Sequence, residues 1–200
     1  MGPSEKSNTR KYQTSNPVVK RLINAFYSRL IEIIGPLSPT TVLDAGCGEG
    51  ETLRRLISSL PKKIDAIDVD PECIHRAVIG MPNIRFSVQT IYDLHFEPDS
   101  FDLVLCLEVL EHLQFPEKAV IELARVCRKD LIISVPHEPL FRIGSFLRGK
   151  YISRLGNHPE HLWKWNRESI KGLLAKKLDL IQIYSSLPWL LIHARKHRIE

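Results

Sequence analysis

Two hundred residues suffice for one domain with a full-sized core and are too few for two. Apolar residues make up 44% and charged residues 26%, the balance of a soluble globular chain, and no apolar run approaches the ~20 residues that cross a bilayer. The net charge of +5 hides an asymmetry: residues 1–138 carry 16 Lys/Arg against 19 Asp/Glu, a net of −3, and residues 139–200 carry 12 against 4, a net of +8.

Residues 1–15 are polar and are expected to form a flexible arm, leaving residues 16–200 as a single domain. Asn16-Pro17 reads as an N-cap followed by Pro at the first helical position. Val19, Leu22, Ile23, Phe26, Leu30 and Ile33 then recur at helical spacing until Gly35-Pro36. From there the chain alternates. Thr41–Ala45 predicts a buried strand closed by glycines, and Leu53, Leu56, Ile57 and Leu60 predict a helix face stopped by Pro61. Ile64–Val69 predicts a second strand, and Asp70-Pro71 caps a helix with Ile74, Ala77 and Val78 inward. Ile84–Val88 and Phe101–Leu107 read as further strands, Pro116–Lys129 as a helix, and Leu131–Val135 as a fifth strand. Strands separated by helices of this length imply an α/β, doubly wound, mostly parallel sheet covered on both faces.

After Pro136 the rhythm breaks. Residues 137–165 are irregular and rich in His, Arg, Gly and Trp, and are expected to form an inserted cap or lid. A helix over Arg167–Lys177 follows, capped by Asn166, and then Leu180–Tyr184 and Trp189–Ala194 are spaced as an antiparallel hairpin at one end of the sheet. Cys47, Cys73, Cys106 and Cys127 are widely spaced without a CxxC pair, which argues against a zinc site and a disulfide framework and predicts a reducing, cytoplasmic setting.

The most specific segment is Val42-Leu43-Asp44-Ala45-Gly46-Cys47-Gly48-Glu49-Gly50. It joins the first strand to a helix, where open α/β sheets bind ligands. A dinucleotide fingerprint needs GxGxxG, whose third glycine would fall at Glu51; this loop is GxGxG preceded by an acid. Asp44 and Glu49 would oppose a pyrophosphate but attract a sulfonium and an ammonium. Asp68, at the end of the second strand, suits both hydroxyls of a ribose, because Asp70 already supplies the helix cap.

With these segments, Ser100-Phe101-Asp102-Leu103-Val104 and Leu110-Glu111-His112-Leu113 complete a set of motifs in order. From about residue 40 to 194 the chain resembles a class I S-adenosylmethionine-dependent methyltransferase, of the broad group that includes the ubiquinone/menaquinone-pathway enzymes. The resemblance implies a Rossmann-like, seven-stranded sheet with its last strand antiparallel and S-adenosyl-L-methionine as cofactor. It places Gly46, Cys47, Gly48 and Gly50 under the methionine part, Asp44 behind the loop, and Asp68 and Val69 at the ribose and adenine. Thr90 stands where the family usually carries Asp for the adenine amino group, with Ile91 as apolar wall. Cys106, Leu107 and Glu108 are expected to line the other side, Cys47 and Cys106 as small packing residues.

Methyl transfer needs an aligned nucleophile and, for a hydroxyl or amine, a base. His137, directly after the fifth strand, and His161, in His158-Pro159-Glu160-His161-Leu162, are the candidate bases, and His112 is expected to be structural or pocket-lining. No metal is expected. The aromatic and basic residues of 137–165 suggest a small acceptor, lipidic or isoprenoid-like, and peripheral contact with an anionic membrane surface. The pI of 9.1 raises RNA methylation as a second reading. Cys106-Leu107-Glu108-Val109 lacks a clamp for a flipped base, so the nucleic-acid signal is weak. A non-catalytic cofactor-binding partner protein is the third reading. The sequence does not specify an oligomeric state.

Overall fold

The computed structural model describes residues 15–137 and 162–197. Its strands are β1 (Thr41–Ala45), β2 (Lys63–Asp68), β3 (Arg85–Val88), β4 (Phe101–Leu107), β5 (Cys127–Pro136), β6 (Leu178–Ser186) and β7 (Trp189–Lys196). Its helices, among the described residues, are α1 (Pro17–Ile34), α2 (Glu51–Leu56), α3 (Pro71–Val78), α4 (Pro116–Val126) and α5 (Arg167–Leu174). The strands form one sheet in the order β3-β2-β1-β4-β5-β7-β6. β1 to β5 pair in parallel, and β7 runs antiparallel to both β5 and β6. The expected hairpin is therefore present, and the last strand of the chain sits inside the sheet rather than at its edge.

Strand order reverses between β1 and β4. The chain runs outward from β1 through β2 to β3, then returns to β4 on the other side. Beyond the carboxyl ends of the strands at such a switch point lies the binding crevice of an open α/β sheet. The segments after β1, β2 and β4 converge there.

Side-chain alternation along the strands divides the core in two. Leu43, Ala45, Ile67, Val104, Cys106, Ile133 and Val135 pack with α4 and α5, on Leu123, Ile170 and Leu174. Val42, Ala66, Leu103, Leu105 and Ile132 pack on the opposite face with Phe26, Leu30, Leu53 and Ile74 from α1, α2 and α3. α1 starts where the sequence predicts: Asn16 Oδ1 accepts from Val18 N at 2.9 Å.

Some boundaries differ from expectation, each for a tertiary reason. α2 ends at Leu56, and Ile57 lies in a 3₁₀ turn with its side chain exposed rather than on the core face. Val78, at the last turn of α3, is exposed as well. α4 stops at Val126, not Lys129, because Cys127 already pairs with Phe101 in the sheet. Asp130 is then held by His193 Nε2 at 2.8 Å and Arg195 Nε at 3.0 Å. Arg128 and Lys129 both reach Asp102. Burial alone would raise the Asp102 carboxyl. Hydrogen bonds from the Thr40 hydroxyl and N–H, Arg128 and Lys129 more than reverse this and hold it well below the usual carboxylate range. These pairs sit at the amino ends of β4 and β5, opposite the crevice, and Arg195 on Asp130 takes up part of the basic excess of the last third. No helix among the described residues is long and apolar enough to cross a membrane.

Candidate active site

β1 carries Asp44 to the switch point, and the chain then turns through Gly46–Gly50 into α2. Gly46, Gly48 and Gly50 hold φ of +86°, +53° and +78°, the left-handed region that L side chains rarely adopt. Space is short as well. A Cβ on Gly46 would lie 2.4 Å from Cγ2 of Val109, and one on Gly50 2.6 Å from Cε of Met81.

The N–H groups of this loop are turned inward. Those of Gly46 and Cys47 both donate to the Ile67 carbonyl, at 2.8 and 2.9 Å, and that of Gly50 donates to the Cys47 carbonyl at 2.9 Å. Gly48 N–H donates to Asp68 Oδ2 at 2.8 Å. A phosphate cradle works by aiming such groups at the anion. Here they are committed elsewhere, which disfavours a pyrophosphate ligand.

Carboxylates occupy the position instead. Alternation puts Asp44 and Asp68 on the same face of adjacent strands. Asp44 is 2% exposed, and its Oδ2 has no hydrogen-bond partner among the described residues. Burial, and then the charge of Asp68, push its carboxyl up to about 7. Such a group is costly unless a donor or cation completes it. Asp68 Oδ1 accepts from Asp70 N at 3.0 Å, so each of its oxygens holds one backbone N–H and keeps a lone pair for a hydroxyl. The residues present therefore fit a ligand with a cationic end and a vicinal diol.

Glu49 plays a different part from the one its position predicts. Its buried carboxylate pairs with Arg76 Nε at 3.0 Å, tying α3 to the loop rather than facing the crevice. Val69, past the end of β2, is 71% exposed, and Ile91 is buried. Thr90 is exposed, and its Oγ1 accepts from Tyr92 N at 3.3 Å, leaving a weaker acceptor than a carboxylate. Cys106 is fully buried; desolvation, then Glu111 and Asp44, raise its thiol well above the ordinary range. It packs rather than reacts. Cys47 is also buried, its thiol raised by burial and then by Asp44 and Asp68. Leu107 is half-buried at the end of β4, against the α1–α3 layer.

Glu108 follows at φ +59°, a non-glycine residue in left-handed backbone. Ser134 on β5 holds it there, accepting from Glu108 N at 3.0 Å and donating to Glu108 Oε1 at 2.8 Å. Such a conformation costs about 1–2 kcal/mol and persists only where the surroundings enforce it.

His137 stands just past β5, its N–H donating to the Pro188 carbonyl at 2.9 Å. Its Nδ1 is buried without a hydrogen-bond partner among the described residues, and burial, then the charge of Arg167, lower the imidazole pKa. A neutral imidazole results, the form that can accept a proton. His112 Nε2 lies 3.9 Å from Glu111 Oε1. His161 and residues 138–161 of the expected lid lie outside the described residues. The chain re-enters at the same end of the sheet: Leu162 N and Trp163 N donate to the Glu111 carbonyl at 2.8 and 3.3 Å, and Trp163 Nε1 to the Leu113 carbonyl at 2.7 Å. Trp163 stacks on Trp165, with ring centroids 5.5 Å apart. Sequence reasoning missed Arg167 and the Ser134–Glu108 clasp, since neither belongs to a motif or a period.

Comparison with known proteins identifies the family and the fold. The family described as "Methyltransferase domain" matches residues 43–134. A ubiquinone biosynthesis O-methyltransferase of Xanthomonas euvesicatoria pv. vesicatoria (strain 85-10) is 31% identical over 163 residues, which cover 69% of this chain and 67% of the relative. The structure of magnesium protoporphyrin IX methyltransferase from Synechocystis PCC 6803, with bound S-adenosylhomocysteine, superposes with a TM-score of 0.70 at 19% identity. It covers 94% of this chain and 92% of that one. A Pyrococcus horikoshii OT3 protein superposes with a TM-score of 0.73 at 16% identity, over 97% of this chain and 100% of that one. The cofactor is S-adenosyl-L-methionine, and the chain belongs to the class I S-adenosylmethionine-dependent methyltransferases.

Proposed function

We propose that residues 16–200 act as one catalytic unit that methylates a small-molecule acceptor, lipidic or isoprenoid-like in character. The observation that carries this reading is the pairing of a loop whose Gly46, Cys47, Gly48 and Gly50 N–H groups are already used with a buried Asp44 carboxyl whose Oδ2 has no partner among the described residues. In the proposal Asp44 and Gly46–Gly50 hold the methionine part, Asp68 the ribose hydroxyls, and Val69, Thr90 and Ile91 the adenine. When bound, S-adenosylmethionine supplies a methyl carbon on positive sulfur, so the protein's task is alignment and exclusion of water. His137 takes the proton that the acceptor oxygen gives up. The O-methyltransferase named in ubiquinone biosynthesis supports a small hydroxyl acceptor.

Labelled S-adenosylmethionine, offered with lipid extract, small metabolites or RNA in separate reactions, tests the substrate class. Label should enter the lipid or small-metabolite fraction, and His137→Ala should slow transfer at least 100-fold while leaving S-adenosylhomocysteine affinity within about threefold. Labelling of RNA alone would contradict the acceptor class. Cofactor binding without transfer in any reaction would favour a non-catalytic partner protein. Transfer into vesicles, enhanced by anionic lipid, would support contact with a membrane surface.

Asp44 adds a pH dependence. A cation beside it favours the carboxylate, so binding releases a proton wherever the free protein holds that carboxyl protonated. S-adenosylmethionine affinity should rise from pH 5.5 to about 7 and then level, and Asp44→Asn should flatten the profile. The same shift has the opposite sign for the free protein. With its folded pKa raised above the ordinary ~3.9, Asp44 costs stability as pH climbs from about 4 to about 7. Titration calorimetry across that range checks the binding profile.

A further inference from the structure

Arg167, the first residue of α5, lays its guanidinium across the end of β6. Its Nη2 donates to Ser185 Oγ at 2.8 Å and its Nη1 contacts the Ile183 carbonyl at 3.5 Å. It has no carboxylate within ion-pair distance among the described residues, unlike Arg195 on Asp130 or Arg76 on Glu49. Its fixed fork therefore keeps N–H donors that neither contact satisfies.

The register shows where this charge sits. Val135 on β5 pairs with Leu190 on β7, and Leu190 pairs with Ser185 on β6. Directly paired residues share a face, and Val135 and Leu190 belong to the α4–α5 layer, so Ser185 points there too. His137 lies two residues beyond Val135, just past the carboxyl end of β5, with its N–H on the Pro188 carbonyl of the β6–β7 turn. Arg167 and His137 thus flank the mouth from neighbouring positions, and the Arg167 charge is felt at the imidazole. Among the described residues, one side offers an anchored cation without an acid, and the other offers a neutral base with an unpartnered Nδ1.

We infer that Arg167 is a specificity-determining residue that binds a carboxylate on the methyl acceptor and so presents a nearby acceptor hydroxyl to His137. The acceptor class is a hydroxy acid, which rests on the small-molecule methyl transfer proposed above and puts a carboxylate in place of a purely lipidic acceptor. Ser185 fixes the guanidinium in place, leaving its remaining N–H edge for the anion.

A hydroxybenzoate and the matching hydroxybenzamide, titrated into the full chain saturated with S-adenosylhomocysteine, separate charge from shape. The acid should bind at least tenfold tighter than the amide. Arg167→Gln should abolish that preference, Arg167→Lys should restore part of it, and Ser185→Ala should reduce it. The His137 ring resonances should shift with the acid and not with the amide. Equal affinity for acid and amide, failure of the acid to bind at millimolar concentration, or an unchanged preference in a folded Arg167→Gln variant would overturn the inference. Failure of S-adenosylhomocysteine to bind at all would instead strike the proposed cofactor site. Arg167 is exposed, so thermal melts of the variants should match that of the parent.

Discussion

Asp68→Ala should weaken S-adenosylmethionine binding by about 2–4 kcal/mol, roughly 30- to 1,000-fold, while the protein stays folded. Two effects add. The variant removes the proposed acceptors for the ribose hydroxyls, and it releases Gly48 N–H and Asp70 N–H, whose bonds to Asp68 shape the walls of the crevice. Asp68→Asn keeps one carbonyl acceptor and should recover only part of the loss, because the other oxygen is exchanged for a donor where an acceptor is needed. Calorimetry on both variants, beside a thermal melt, gives the answer. A folded Asp68→Ala protein with the parent's dissociation constant would mean that the ribose lies elsewhere.

Gly46→Ala is expected to be strongly destabilising for the addition of a single methyl group. Left-handed backbone costs an L residue about 1–2 kcal/mol, and overpacking against Val109 adds about 1–3. Together they should lower the melting temperature by roughly 4–20 °C for a chain of this size. The pair Gly46→Ala with Val109→Ala separates the terms. Truncating Val109 relieves the contact but not the φ, so the double variant should lie between Gly46→Ala and Val109→Ala alone in relative cost. An unchanged melting temperature in Gly46→Ala would contradict the close approach of these two segments.

The parts legible in the sequence were those set by local chemistry. β1 and β4 begin and end where the apolar runs do: glycines close the first, and Phe101 to Leu107 is apolar but for Asp102. Asn16, Asp70 and Asn166 cap helices through their own side chains, so short windows reveal them. The seven strands and the antiparallel last one were implied by motif resemblance, and the loop at Gly46–Gly50 was read from its GxGxG spacing. What could not be read depends on partners far apart in the chain. β5 captures Cys127–Lys129 from the expected helix because Cys127 pairs with β4 and the adjoining Asp130 is held by His193 and Arg195, 63 and 65 positions away. Glu49 looks like a ligand-facing acid until α3 brings Arg76 to it from 27 residues on. Arg167 looks like an ordinary first-turn residue, and only the hairpin behind it places its charge beside His137.

Hydrogen exchange on the full chain, with and without saturating S-adenosylhomocysteine, tests the location of the cofactor most directly. Ligand-induced protection should fall on the segments around Asp44–Gly50, Asp68–Asp70, Thr90–Tyr92 and Leu107–Val109. The groove between α4 and α5, lined by Glu117, Trp163, Trp165 and Lys176, should exchange as before. Protection confined to that groove, or absence of protection over Gly46–Gly50 despite measurable binding, would contradict the proposed site.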